Sequence, residues 1–311
     1  MASRSTPEEP PIDEIIGDSP RRSLLTRDVA ARGARVRFVE TGDGPPLLMI
    51  HGYLDSHATW DHSLDVLSPH FRTIAPDLPG FGESEKPTAA RYPYGVDAFA
   101  ESLVDLVAAL DLGRIAVCGH DLGGSIALTM AARHPSLVER LVLVDPIVYP
   151  HKSDLYARLA TTPVLGPIAF KQLSGPGIFG RYFKKRSYGS SDAASQARVD
   201  RLFEAFNAPA AREAAYATLQ SLADTRTLVA LLPRVHVPTL IMWGRSDRFL
   251  PLEDGRRLAR ELPTASLDIF DTGHSPHEES SAEFAQKARD FLLGRSKTPG
   301  RPNPRSRRET G

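Results

Sequence analysis

The stretch Val117-Cys118-Gly119-His120-Asp121-Leu122-Gly123-Gly124-Ser125 constrains this chain more than any other. Before it, Arg114 to Cys118 is a short apolar run and predicts a buried strand. After it, Ile126 to Arg133 places small and apolar residues at helical spacing. A strand that passes into a helix through Gly-x-Asp-x-Gly has the form of a nucleophile elbow. The middle residue of such a turn is strained, and glycines at 119 and 123 remove the Cβ atoms that would collide where strand and helix close up. Asp121 is then held clear of the sheet at the positive end of a helix, which favours the ionised carboxylate. The N–H of Leu122 is left to bind an oxyanion. Most such elbows carry Ser in the middle, and this one carries Asp. The same pentapeptide also arises as a turn whose Asp only caps a helix, so the rest of the chain has to decide.

Around this stretch the chain alternates between two patterns. Leu24 to Val39 breaks at Arg32-Gly33 and predicts a hairpin. Pro46 to Ile50, Phe71 to Ala75 and Arg140 to Val144 are continuous apolar runs and predict buried strands. Val96 to Leu110 carries apolar residues at i, i+3 and i+4 and predicts an amphipathic helix. Apolar strands alternating with helices imply an α/β fold, a mostly parallel sheet covered on both faces. The rhythm stops over 146–235, where helical periodicity appears near Val199–Phe206 and Ala211–Leu222 without a strand-like run. It resumes with strands Thr239–Trp243 and Ser266–Phe270 and helices Glu253–Glu261 and Ala282–Leu293. The expected organisation is a tail (1–22), a first core part (23–145), an inserted helical cap (146–235), a second core part (236–295) and a basic tail (296–311). An insertion that leaves a strand end and rejoins the same sheet lies over the carboxyl edge of the strands, where open α/β sheets bind ligands. Phe170, Phe179, Phe183, Phe203 and Phe206 are its candidate pocket lining, or its own packing.

Composition narrows the partners. The formal net charge is zero and the one cysteine, Cys118, falls in an apolar strand, so neither nucleic-acid binding nor a disulfide framework is expected. No Cys or His cluster has metal-ligand spacing, and neither a metal nor a cofactor is expected. The Pro- and Glu-rich start lacks an apolar signal core, and no apolar run is long enough for a bilayer, which implies a cytoplasmic protein without a membrane partner. Both tails are poor in apolar side chains and are expected to be disordered.

Two further strand ends carry chemistry. Asp247 follows one in Trp243-Gly-Arg-Ser-Asp247, and His274 follows the next in Asp271-Thr-Gly-His274. The order nucleophile, acid, base (Asp121, Asp247, His274) is that of the elbow architecture. With His51-Gly52, Asp77-Leu-Pro-Gly-Phe-Gly82, Gly119-His-Asp-Leu-Gly-Gly124, Gly244-x-x-Asp247 and Gly273-His-x-Pro276, the chain resembles the α/β-hydrolase superfamily from Leu24 to Leu293. Its elbow is similar to those of the aspartate-nucleophile branch, the epoxide hydrolases and the haloalkane and haloacetate dehalogenases.

The resemblance implies covalent catalysis on a small apolar substrate. An ionised aspartate attacks a saturated carbon to give an alkyl–enzyme ester. His274, oriented by Asp247, activates a water against that ester, and the N–H groups of Leu122 and Tyr53 hold the oxyanion. Asp145, at the strand end before the cap, is the alternative acid. Epoxide hydrolases use cap tyrosines as proton donors, and Tyr149, Tyr156, Tyr182, Tyr188 and Tyr216 are the candidates here. Leu54 replaces the Pro of the His-Gly-x-Pro pattern common among them. Dehalogenases bind the halide through Trp or Asn, or place Arg after the nucleophile; here that residue is Leu122, the tryptophans are Trp60 and Trp243, and Asn207 is the asparagine outside the tail. An epoxide is therefore the expected substrate and a haloalkane or haloacetate the alternative. An esterase-like enzyme or a non-covalent ligand binder on the same fold is the further alternative.

Overall fold

The computed structural model describes residues 24–150, 162, 166, 175–188 and 195–295. Both expected tails, Tyr156, Phe170 and the side chain of Tyr182 lie outside the described residues. Strands β1 (Leu25–Ala31) and β2 (Ala34–Thr41) form the hairpin. Its two turn residues, Arg32 and Gly33, have φ of 46° and 79°, the positive values a tight two-residue turn requires. There follow β3 (Pro46–Ile50), α1 (Asp61–Leu67), β4 (Arg72–Pro76), α2 (Val96–Ala109), β5 (Ile115–His120), α3 (Leu122–Arg133) and β6 (Val138–Val144). The segment between β6 and the next strand contributes four described helices, α4 (Pro176–Ser187), α5 (Gln196–Asn207), α6 (Pro209–Leu222) and α7 (Arg226–Leu231). The chain then runs through β7 (Thr239–Gly244), α8 (Leu252–Glu261), β8 (Ala265–Phe270), α9 (Pro276–Glu279) and α10 (Ser281–Leu292). None of the described helices is long and apolar enough to cross a membrane.

The eight strands form one sheet in the order β1-β2-β4-β3-β5-β6-β7-β8, parallel from β4 to β8. Side chains alternate across it, as a period of two requires. Leu48 and Ile50 face the core under α2, α3 and the cap helices. Leu47 and Met49 face the second core, with Trp60, Leu64, Phe284 and Phe291. Each fully buried side chain of this size is worth roughly 1.5–3 kcal/mol. The order reverses between β3 and β5, so loops leaving their carboxyl ends diverge and open a crevice. The two loops at that crevice begin at His51-Gly52 and at Asp121.

Candidate active site

Asp121 has φ 53° and ψ −114°, outside the usual left-handed well and costing about 1–3 kcal/mol. Close approach enforces this geometry. A Cβ on Gly119 would lie 2.3 Å from the Gly123 carbonyl oxygen, and one on Gly123 would lie 2.2 Å from that of Ile50. The elbow is also tied down: Asp121 N donates to Val144 O at 3.0 Å and Ile147 N donates to Asp121 O at 3.2 Å.

The two carboxylate oxygens of Asp121 differ. Oδ2 accepts the Tyr53 N–H at 2.8 Å. Oδ1 lies 3.4 Å from His274 Nε2 and is buried without a hydrogen bond among the described residues. Leu122 opens α3, so its N–H belongs to the unpaired first turn. On the far side of the ring, His274 Nδ1 stands 2.7 Å from Asp247 Oδ2. Asp247 Oδ1 accepts the N–H groups of Phe249 and Leu250 at 2.7 and 2.9 Å, which fixes the carboxylate as its loop turns. Asp145 is held differently: its Oδ1 accepts the Gly244 N–H at 3.0 Å and its buried Oδ2 has no hydrogen-bond partner among the described residues.

Charge follows from these contacts. Burial pushes the Asp121 pKa up, but the His274 cation and then the Tyr53 N–H outweigh it and hold it at about 2. Burial pushes His274 down, yet Asp247 and Asp121 on either side raise it well above the usual imidazole range. Burial, reinforced by the Asp247 charge, raises Asp145 well above the carboxylate range, so it carries a proton beside Asp247. Asp145, Asp247 and His274 offer ligand atoms within 4.8 Å of one another. A cation there would have to displace the Asp145 proton and break the His274–Asp247 bond.

His120 supports His274 from behind. Its Nε2 donates to the His274 carbonyl at 2.8 Å, and burial lowers its pKa to about 4, so the ring is neutral. Gly52 is required beside it, because a Cβ there would sit 2.9 Å from His120 Nδ1 and 3.0 Å from the Asp121 Cβ.

One cluster was not anticipated from the sequence. Arg198, on α5, reaches Asp55 at 3.0 Å and also pairs with Glu278. It donates to the Tyr188 hydroxyl at 3.2 Å, and that hydroxyl donates to Glu278. A signal existed, since Arg198 is adjacent to Val199 and four residues before Leu202 on the buried face of α5. The partners, 80 and 143 residues away, could not be paired with it by pattern.

The tyrosines considered as proton donors are divided. Tyr149 is buried and taken up by another contact: its hydroxyl donates to Glu261 at 2.7 Å under the Arg257 guanidinium. Tyr188 is buried in the Arg198 cluster, and Tyr216 is buried on α6, where its hydroxyl accepts from Gln220 at 3.4 Å. The cap phenylalanines Phe179, Phe183, Phe203 and Phe206 pack on one another, with ring centroids 5.1–6.1 Å apart in the Phe179 contacts. Trp243 Nε1 donates to Leu250 O, Trp60 lies in the second core against His277, and Asn207 is exposed and holds Arg212.

Comparison with known proteins agrees with this architecture. Residues 45–281 match the alpha/beta hydrolase fold family. An uncharacterized protein of Mycobacterium bovis is 34% identical over 84% of this chain and 79% of its own. A 2-hydroxymuconate semialdehyde hydrolase of Pseudomonas sp. is 32% identical over 86% of this chain and 94% of its own. The solved structure of the epoxide hydrolase CorEH superposes with a TM-score of 0.71 at 23% identity, covering 88% of this chain and 99% of that one, a likeness of fold alone. With the reversal between β3 and β5, the strained elbow and a family match spanning most of both core parts, the chain belongs to the α/β-hydrolase fold family.

Proposed function

We propose that this hydrolase uses Asp121 as a nucleophile toward saturated carbon, and that its substrate is an epoxide. The observation that carries the reading is the position of Asp121 Oδ2. In a serine enzyme the oxyanion donors wait for the substrate's carbonyl oxygen. Here the Tyr53 N–H already holds an oxygen of the nucleophile itself, at 2.8 Å. That suits an intermediate whose carbonyl belongs to Asp121. A pKa of about 2 also makes Asp121 a poor general base but leaves it fully ionised for attack.

The protons balance as follows. Asp121 Oδ1 attacks the epoxide carbon, the C–O bond breaks, and a cap tyrosine protonates the leaving alkoxide. Tyr188 and Tyr216, both raised above the usual phenol range by burial, are the described candidates. Esterification removes one of the two carboxylates that raise His274, so the imidazolium yields its proton, restores the tyrosine and becomes a base. Neutral His274 then takes a proton from water as hydroxide adds to the Asp121 Cγ. The charge falls on Oδ2, within reach of the Tyr53 N–H. Collapse releases the diol alkoxide, which is protonated by His274, and the Asp121 carboxyl returns its proton to the ring.

The epoxide is favoured over a halide because Trp243 Nε1 donates to Leu250 O, Asn207 holds Arg212, and Trp60, whose Nε1 has no hydrogen-bond partner among the described residues, is buried in the second core against His277. A second reading, carbon–carbon hydrolysis of a substrate like that of the Pseudomonas relative, rests on 32% identity over nearly the whole of both proteins. In the decisive experiment, purified protein is given styrene oxide for a single turnover in H2-18O, with mass analysis of the Asp121 peptide. Label in the Asp121 carboxylate and unlabelled diol is the expected result. Label in the product with Asp121 unlabelled overturns the covalent route. Turnover of a ring-cleavage dienoate but not of epoxides establishes the second reading.

A further inference from the structure

A cavity of about 190 Å3 lies beside α3, away from the triad, between the start of α2 and the α6–α7 junction. None of Asp121, Asp247 and His274 lines it. Three observations define its chemistry. Thr225 lines it, is 5% exposed, and its hydroxyl has no hydrogen-bond partner among the described residues. The α2 N-terminus opens on it through Gly95, Val96 and Asp97 without a side-chain cap, so the first-turn N–H groups have no intrahelical acceptor. Val96, Leu222, Leu228 and Leu231 supply apolar wall, and the hydroxyls of Ser125, Thr129, Ser221 and Thr227 stand among them.

We infer that this cavity is a second binding site, for a small neutral molecule that carries hydroxyl groups on a short apolar frame. Size is suitable, because a cavity of roughly 150 Å3 accepts benzene. Polarity selects a hydroxyl. The helix N–H groups need an acceptor, whereas Ser125 and Ser221 already donate to Ile147 O and Tyr94 O and keep lone pairs that need a donor. Charge excludes an ion. The two carboxylates at the rim are each paired, Asp97 with Arg133 and Asp224 with Arg226, leaving no net charge for an ionic ligand. The inference is independent of the chemistry at Asp121.

The test is a titration of the full chain with 1,2-hexanediol, followed by the backbone amide resonances. Saturable shifts of Gly95, Val96 and Thr225 are expected. Thr225→Val keeps the shape and removes the hydroxyl, and should weaken binding about three- to tenfold, the effect of one hydrogen bond. Leu228→Trp fills the space and should abolish it, with Leu228→Phe as the milder variant should the first misfold. Butanoate, with a similar frame and a charge, should bind at least tenfold more weakly. An absence of saturable shifts at these amides, meaning a cavity that holds water only, overturns the inference. So does equal affinity in Thr225→Val and the filled variant, or butanoate binding as tightly as the diol.

Discussion

His274 stands between the carboxylates of Asp121 and Asp247, and Arg198 stands between those of Asp55 and Glu278. Both cations are buried, and the two clusters meet through the ring of His277, which lies 4.4 Å from that of His120 and bonds Thr59 Oγ1 at 2.7 Å. They differ in what is left open. Around Arg198, Thr59 and Tyr188 complete the Glu278 carboxylate, and the cation cannot lose its proton. Around His274 one oxygen of Asp121 has no hydrogen bond among the described residues, the ring titrates, and the backbone at Asp121 is strained. The same arrangement of charges therefore ties α5 to the strand-end loops in one place and, in the proposed mechanism, carries the chemistry in the other. On that proposal, reactivity comes from the unfilled valence and the titratable cation rather than from burial of charge.

Removing the open oxygen should have the largest effect. Asp121→Ala is expected to lower kcat by roughly 10⁴-fold or more, in the range seen when a covalent nucleophile is deleted. Alanine keeps the Cβ, so the strain near φ 53° remains while the His274 partner is lost, and the melting temperature should fall below that of the parent. His274→Gln should instead trap the ester, detected as an adduct by intact mass. Multiple turnover by that variant would show that the base acts otherwise.

The tie around Arg198 should respond in stability rather than in rate. Arg198→Met leaves Asp55 and Glu278 buried without their cation, at a cost of about 3–5 kcal/mol. Each kcal/mol is worth roughly 2–4 °C of Tm for a chain of this size class. At a temperature where the variant is still folded, kcat should stay within about tenfold of the parent. An unchanged Tm would mean that the pairs give no net stability, and the contrast between the clusters would fail.

Stability should depend on pH through the open cluster. The Asp121 pKa of about 2 lies below the ordinary aspartate value of 3.8, so its contribution is present above 3.8 and is lost as pH falls toward 2. His274 is raised above 6.5, so its contribution is complete below 6.5 and is lost as pH rises through its folded value. Thermal melts across pH should therefore show an alkaline decline in the parent that His274→Gln lacks. Equal slopes in the two proteins would place the ion pair elsewhere.

Local pattern made the frame legible. Pro46–Ile50 is apolar throughout because β3 is buried on both faces, and the periodicity of Val96–Leu110 reports the packing of α2, which spans Val96–Ala109. The elbow was legible because Gly119 and Gly123 are sterically required there. Pattern did not reach contacts made across the fold. The Arg198 cluster joins α5 to two core loops, and α9, which carries Glu278, is a single turn with no period of its own. The tyrosines show the same limit. Residue type marks a possible acid, but only the partner, Glu261 for Tyr149, reveals a structural tie.

The smallest effect is the most discriminating for the two acids near the base. Asp247 and Asp145 both lie beside His274, and sequence order alone allows either to orient it. Their surroundings separate them. Asp247 accepts two backbone N–H groups on Oδ1, an environment for a charge, and faces the ring at 2.7 Å. Asp145 accepts one, is fully buried, and is kept protonated by burial and by the Asp247 charge. Asparagine copies a protonated aspartate: its carbonyl can accept the Gly244 N–H and its amide can donate where the acid proton was. Asp145→Asn should therefore change kcat by no more than about threefold and stability by under about 1 kcal/mol, the range of a hydrogen bond exchanged for its equivalent. Asp247→Asn should lower kcat by roughly 10⁴-fold, as expected when the group that stabilises the imidazolium is neutralised. Steady-state rates of the two variants at one pH make the comparison. A large loss in Asp145→Asn with a small one in Asp247→Asn would exchange the roles of the two acids.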